Sequence, residues 1–123
     1  MIEGEALALA CAEAAADKKA EDIAILDLRG ISSFTDFFIV CSANSDPQLK
    51  AISSSVRETM RDLGARPLNE EGFPASQWVV IDFGEVIVHV FNAEKRDFYN
   101  LESLWKDAPR IPFQPAPSGV KLS

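Results

Sequence analysis

His89 is the only histidine of the chain and the first candidate for chemistry, because imidazole is a common general base and zinc ligand. Zinc needs three or four nitrogen or sulfur ligands. Besides His89 the sequence offers only Cys11 and Cys41, which are far apart and lack a CxxC neighbour. We therefore predict buried free thiols and no metal site. His89 and Asp82 could join a Ser-His-Asp triad, but no serine lies in the glycine pattern of a nucleophile elbow.

A second candidate is the segment 32–36 (SSFTD), which lies between two predicted strands. Nucleotidyltransferases place a Gly-Ser pair and two strand-borne aspartates in such a segment, because two metal ions must be held beside the triphosphate. Here two phenylalanines follow Asp36 and no glycine stands directly before either serine, so we predict no enzyme activity. No glycine-rich phosphate loop is present, so we predict no cofactor. A divergent nucleotidyltransferase that uses Asp27, Asp36 or Asp82 with magnesium is the alternative.

The 123 residues contain enough apolar sequence for one domain. The predicted elements are a helix over 5–19, strands over 23–28 and 37–42, a helix from Ser45 or Asp46 to Gly64, a loop over 65–76 with at most one short edge strand, two strands within 78–91, and a helix over 93–107. Helices interspersed with strands favour a single α/β domain with a mixed β-sheet and helices packed on it. We assign this domain to 1–108 and a Pro-rich flexible tail to 109–123.

The segment 78–91 (WVVIDFGEVIVHVF) sorts its side chains if the turn is the two-residue loop Gly84-Glu85. Strand alternation then divides the hairpin into a first face with Val79, Ile81, Phe83, Val86, Val88 and Val90, and a second face with Trp78, Val80, Asp82, Ile87, His89 and Phe91. The first face should pack under helices. The second adjoins acidic sequence, since 70–107 holds 8 acidic and 3 basic residues. We predict a binding surface there; the alternative is that helix 93–107 covers it.

Charge narrows the choice of partner and compartment. The formal net charge is −7, which disfavours broad binding to nucleic acid and favours a basic protein partner. Lys50, Arg57 and Arg61 share a face of the predicted second helix, and we interpret them as solvated side chains. No apolar stretch reaches about 18 residues, so we predict no membrane span. The acidic N-terminus is unlike a secretory signal, and we therefore predict a cytoplasmic protein.

Several segments resemble the ribosomal silencing factor family, RsfS, also called the Iojap-related family. They are DIAILDLRGISSFTDFFIVCSA (22–43), QLKAI (48–52), Glu71-Gly72, WVVIDFGEVIVHVF (78–91) and RDFYNLESLW (96–105). The similarity runs from about residue 20 to residue 107 in order. Two positions depart from the family pattern. Phe37 stands where members usually have tyrosine, and Pro47 stands where they usually have arginine, so any role of that arginine is in doubt here.

The resemblance implies an α/β fold like that of nucleotidyltransferases but without their catalytic acids. It also implies a homodimer that binds a large-subunit ribosomal protein at the face that meets the small subunit. There the factor would block subunit joining and repress translation. A generic dimeric adaptor with another basic partner is the remaining alternative.

We predict that partner contacts come from the second hairpin face and from the helix that follows it. The predicted partner-binding residues are Trp78, Asp82, His89, Phe91, Glu94, Arg96, Tyr99 and Glu102. Within this set Trp78 and Tyr99 are aromatic anchors, and the carboxylates contact Lys or Arg of the partner. Arg96 would orient one of these carboxylates or accept one from the partner. From their helical spacing, we predict core packing for Phe98, Leu101 and Trp105.

Overall fold

The computed structural model describes residues 4–72 and 77–114. The elements are α1 (Glu5–Ala16), β1 (Glu21–Asp27), β2 (Phe37–Ala43), α2 (Asp46–Asp62), β3 (Asn69–Glu71), β4 (Trp78–Asp82), β5 (Val86–Asn92), α3 (Ala93–Tyr99), α4 (Leu101–Leu104) and β6 (Arg110–Ile111). The strands form one sheet in the order β3-β4-β5-β2-β1-β6. β2 and β5 are parallel and the other pairs antiparallel, so the predicted mixed α/β sheet is confirmed. No helix within the described ranges has the length and apolar character to cross a membrane.

Helices α1 and α2 cover one face of the sheet. α1 is rich in alanine, and its small buried side chains let the helix pack close to its neighbours. α2 begins after Ser45, whose Oγ accepts a hydrogen bond from the backbone N–H of Gln48 at 3.2 Å, and Pro47 lies in its first turn. The predicted start of this helix is confirmed. The residues that α2 buries include Leu49, Ile52, Val56 and Met60.

The hairpin β4–β5 has the predicted register. Asp82 pairs with Ile87, and the Phe83 N–H donates to the Val86 carbonyl at 2.9 Å, which leaves Gly84-Glu85 as the two-residue turn. Gly84 has φ 93°, in the region that favours glycine. All six residues of the first hairpin face are buried in the hydrophobic core that the sheet forms with α1 and α2. The assignment of the two faces is therefore confirmed.

The predicted single helix over 93–107 is wrong, because the chain breaks it at Asn100. Asn100 adopts a left-handed conformation (φ 48°, ψ 49°), which ends α3 and separates it from α4. Asparagine tolerates this conformation better than most residues. Despite the break, Leu101 and Trp105 pack as predicted, against the apolar cluster on the sheet face opposite α1 and α2. The prediction that Phe98 packs in the core is wrong, since it is 76% exposed.

The predicted flexible tail is wrong at its beginning, because residues 110–111 form a strand. β6 pairs with β1, with Ile111 opposite Ile25, and the Asp27 N–H donates to the Pro109 carbonyl at 2.8 Å. The outer edge of β1 would otherwise present unpaired backbone groups, and this segment satisfies those from Ile25 to Asp27. Residues 115–123 lie outside the described part of the chain, so their flexibility and the exact domain boundary stay predictions.

Candidate partner-binding surface

The sheet face that α1 and α2 leave open carries a layer of aromatic rings. Trp78 stacks on Phe91 with ring centroids 4.9 Å apart, and Tyr99 of α3 lies 4.6 Å from Trp78. Phe91 is fully buried and His89 is buried beside it. Both side chains therefore lie beneath the chain's own rings instead of facing a partner. His89 and Phe91 were both predicted to contact a partner. In the structure they instead pack beneath Trp78 and Tyr99 and support those two rings.

His89 is held in this layer as a neutral ring. The Trp78 Nε1–H donates to His89 Nδ1 at 3.2 Å, and the Phe38 ring packs edge-on with its centroid 4.6 Å away. Burial lowers the pKa of His89 to about 4, because a charged imidazolium would lose its hydration there. Since Nδ1 accepts a hydrogen bond, the proton of the neutral ring belongs on Nε2. His89 is thus an acceptor that orients the Trp78 ring.

Exposed apolar side chains lie on α3, on α4 and in the connection before β2. We define the exposed apolar surface as Phe34, Phe98, Tyr99 and Leu104. Phe98 and Leu104 are both 76% exposed, and Phe34 is 60% exposed. Phe34 reaches the α4 side of the surface, since its ring lies 6.4 Å from that of Trp105, while Phe98 lies 5.2 Å from Tyr99. Several large apolar side chains grouped in water on a small domain are typical of a site of association, whereas single exposed ones are common.

Phe34, Phe98 and Leu104 are absent from the residues predicted to contact a partner. The sequence nevertheless carries a signal for Phe34 and for Phe98. Phe98 and Tyr99 are consecutive, and consecutive residues of a helix cannot both face the same core. Phe34 stands in a Ser-rich connection, where an apolar side chain has no core of its own to join. Leu104 gave no signal, because its spacing matched a continuous helix that the chain does not form.

Arg96 and Glu102 form an ion pair that fastens α3 and α4 to the sheet. Arg96 Nε and Nη2 donate to the two carboxylate oxygens of Glu102, both at 3.0 Å. Arg96 Nη1 donates to the Asp22 carbonyl at 2.6 Å and to Ser42 Oγ at 2.9 Å. The hydrogen bonds from Arg96 to the Glu102 carboxylate lower the pKa of Glu102, and Arg110 adds to the effect. The predicted orienting role of Arg96 fits this geometry, with Glu102 as the carboxylate that it holds.

The remaining predicted contacts lie apart from one another. Glu94 is exposed in the first turn of α3, beside the exposed apolar surface. Asp82 lies at the opposite end of β4 from Trp78, about 13 Å along the strand. Its Oδ1 accepts a hydrogen bond from the Gly84 N–H at 2.7 Å and so stabilises the hairpin turn. Glu94 therefore shares a region with Tyr99 and Trp78, whereas Asp82 does not. Their roles in binding stay predictions.

Replacing Arg96 with lysine should lower the free energy of unfolding by about 1–2 kcal/mol, because an ammonium group cannot reproduce the paired bonds to Glu102. Urea denaturation of both proteins measures this difference. Arg61→Lys is the matched control, since Arg61 is 64% exposed and its ion pair with Asp62 is long, at 3.7 Å. We expect that change to alter stability by less than about 0.5 kcal/mol. Equal effects of the two substitutions would contradict the role assigned to Arg96.

Asp27, one of the carboxylates considered for metal-dependent catalysis, is held by a neighbouring arginine. Asp27 accepts two hydrogen bonds from the Arg29 guanidinium at 2.9 and 2.7 Å, and these lower its pKa. Across residues 4–72 and 77–114, no group of three or more His, Cys, Asp or Glu side chains is placed to hold a metal ion. Cys11 and Cys41 are buried free thiols, as predicted, and burial raises the pKa of each to about 12.

Comparison with known proteins bears directly on the resemblance seen in the sequence. Residues 2–121 match the protein family described as "Ribosomal silencing factor during starvation". Ribosomal silencing factor RsfS of Bacillus subtilis is 46% identical over 98 residues, which cover 80% of this chain and 83% of that protein. The chloroplastic protein Iojap of Arabidopsis thaliana is 38% identical over 114 residues, 91% of this chain and 48% of that protein.

Two crystal structures share the fold. A protein from Bacillus halodurans superposes with a TM-score of 0.79 at 37% identity, covering 89% of this chain and 100% of its own. Protein CV0518 from Chromobacterium violaceum superposes with a TM-score of 0.82 at 30% identity, covering 97% of this chain and 98% of its own. Sequence and fold agree over most of the molecule, and the resemblance is confirmed. The chain therefore belongs to the ribosomal silencing factor family, whose members are regulators and not enzymes.

Proposed function

We propose that this protein binds the large ribosomal subunit at the face that meets the small subunit, and that it represses translation by keeping the subunits apart. The observation that carries the proposal is the exposed apolar surface on α3, α4 and the connection before β2, in a member of the ribosomal silencing factor family. The B. subtilis relative bears the name of a ribosomal silencing factor. The proposal includes the predicted homodimer and cytoplasmic location.

A basic ribosomal protein is the partner that suits this surface. Phe98, Tyr99 and Leu104 offer apolar area that loses water on binding, which is where most of the affinity of an interface arises. Glu94 and Asp97 lie exposed beside them on α3, and the whole chain carries a net charge of −7. Negative charge around an apolar centre speeds the encounter with a basic protein and disfavours acidic competitors.

Inhibition in this proposal requires occupancy alone. A 13.5 kDa protein, or a dimer of it, would stand where the small subunit must approach. No bond is made or broken, and no cofactor takes part. The degree of inhibition then follows the fraction of large subunits that carry the protein, so it should saturate at one binding unit per large subunit and reverse on dilution.

Mixing the purified protein with separated ribosomal subunits tests the proposal. On a sucrose gradient we expect the joined particle to disappear as protein is added, and the protein to sediment with the large subunit. Joined particles that persist at saturating protein would contradict the proposed mechanism. A pull-down from lysate at low and high salt provides the second measurement, since recovery of a basic non-ribosomal protein in place of the large subunit would favour a generic adaptor.

A further inference from the structure

A basic groove runs along α2 on the side of the sheet opposite the exposed apolar surface. It consists of two adjoining hollows of about 460 and 200 Å³ between α2 and the β3–β4 end of the sheet, which share Ser54 and Arg57. We define the basic groove by its four cationic side chains, which are Lys50, Arg57, Arg61 and Arg66. Among the residues that the structure describes, Glu58 and Glu70 are the acidic ones that line it, so the described lining holds two more positive than negative charges.

Three of the four cations of the basic groove follow a line. Lys50, Arg57 and Arg61 lie along α2, and at a rise of about 1.5 Å per residue the first and last are about 16 Å apart. Arg66 follows the end of α2 and lines the same hollow as Arg57 and Arg61. A lone phosphate or pyrophosphate is too short to reach all four side chains. A chain of phosphodiesters has both the length and the repeated negative charge to do so.

Arg57 is already held in position at the centre of this line. Its Nη1 donates to Glu70 Oε2 at 2.6 Å, and its Nη2 donates to Ser54 Oγ at 3.1 Å. These bonds use two of the five N–H donors of the guanidinium, and its side chain is 37% exposed. A planar guanidinium fixed in this way suits bidentate contact with a phosphate. Glu70 both positions Arg57 and repels an approaching anion.

We propose that the basic groove binds the phosphodiester backbone of a single-stranded or looped RNA segment. The net charge of −7 opposes broad association with nucleic acid, so the contact is short and confined to the groove. Because α2 and the α3–α4 unit lie on opposite faces of the sheet, RNA on one side leaves the exposed apolar surface free. This RNA contact goes beyond the proposed function and does not depend on it.

Fluorescence anisotropy with a short fluorescein-labelled oligouridine tests the RNA contact. We expect the full chain to bind at low ionic strength and Arg61→Gln/Arg66→Gln to bind at least about tenfold more weakly. The slope of log K against log salt should fall in magnitude by about 1.4, since two phosphate contacts are lost. Glu70→Gln should bind several-fold more tightly, because the amide oxygen of glutamine can still accept the Arg57 hydrogen bond while the negative charge that opposes the anion is lost. An unchanged or weaker affinity of Glu70→Gln would overturn the proposal.

The control variant Lys18→Gln/Lys106→Gln loses the same charge outside the groove. We expect it to bind the oligouridine within about twofold of the original protein. Absence of binding at low ionic strength, or equal weakening of the groove and control variants, would overturn the proposal. Displacement of the RNA by inorganic pyrophosphate, beyond the effect of matched ionic strength, would overturn it in favour of a free phosphate compound.

Loss of RNA binding and loss of subunit binding are distinguishable outcomes. A variant altered at Phe98 and Leu104 should keep its affinity for the oligouridine, because both residues lie across the sheet from the groove. If that variant and the original protein bind RNA equally while neither sediments with large subunits, the proposed function fails and the RNA contact stands. If large subunits are bound but the oligouridine is not, the RNA contact fails alone.

Discussion

Replacing Phe98 and Leu104 together with serine should weaken binding to large ribosomal subunits by about a hundredfold or more. Each side chain is 76% exposed, so the substitutions remove apolar contact area without leaving a cavity in the core. A hot-spot residue at the centre of an interface contributes about 2 kcal/mol or more, and about 1.4 kcal/mol from each of the two is enough for a hundredfold loss. Co-sedimentation over a range of large-subunit concentrations measures the change in dissociation constant.

Leu68→Ser is the matched control for this experiment. Leu68 is 74% exposed, similar to the two target residues, but it precedes β3 and lies beside Gly84 at the hairpin turn. We expect this variant to bind large subunits as the original protein does, with an unchanged thermal midpoint for all the proteins compared. Retained binding by the double variant would remove the exposed apolar surface from the proposed function. An equal loss from Leu68→Ser would show that exposed apolar area acts without regard to place.

Acidification from about pH 6.5 to about pH 4 should lower the free energy of unfolding by about 3 kcal/mol through His89 alone. The folded protein holds this ring neutral down to a pKa of about 4, whereas the unfolded chain protonates it near 6.5. Between these values the unfolded state binds more protons, so stability falls as pH falls. Protonation also places a hydrogen on Nδ1, where the Trp78 N–H now donates.

Two measurements isolate this contribution. His89→Gln cannot titrate in this range, so the difference in unfolding free energy between the original protein and the variant should shrink on acidification. The carboxylates of the chain titrate in both proteins and do not contribute to that difference. Because His89 is the only histidine, its ring protons give a single set of NMR resonances whose titration reports the pKa directly. A midpoint near 6.5 in the folded protein would contradict the buried neutral state.

Local pattern was sufficient for the parts of the fold that neighbouring residues determine. Alternation around Gly84-Glu85 gave the correct hairpin register, because a shift by one residue would have exposed the aliphatic face. Residues 37–41 are all apolar, which is typical of a strand covered on both faces, and every residue of β2 is buried. Which strand pairs with β2 was not predictable, since any apolar strand satisfies the same pattern. The parallel pairing with β5 depends on the path of the whole chain.

The candidate site was predictable in composition and less so in arrangement. Trp78 and Tyr99 do lie together, yet their rings cover His89 and Phe91, which the strand alternation alone placed on the open face. The decisive change is the left-handed turn at Asn100. A single residue of this conformation alters the phase of every side chain after it, and helical periodicity contains no signal of where such a turn falls.

The position of β2 in the sheet has a consequence for synthesis of the protein. One neighbour, β1, precedes it directly, but the other is β5, and about a third of the chain lies between β2 and β5. During synthesis β2 therefore forms before β5 exists. The edge of β2 that pairs with β5 stays unpaired until the last third of the chain is synthesised. A product that terminates before β4 cannot close the sheet, and we expect it to aggregate or be degraded instead of persisting as a partly active fragment.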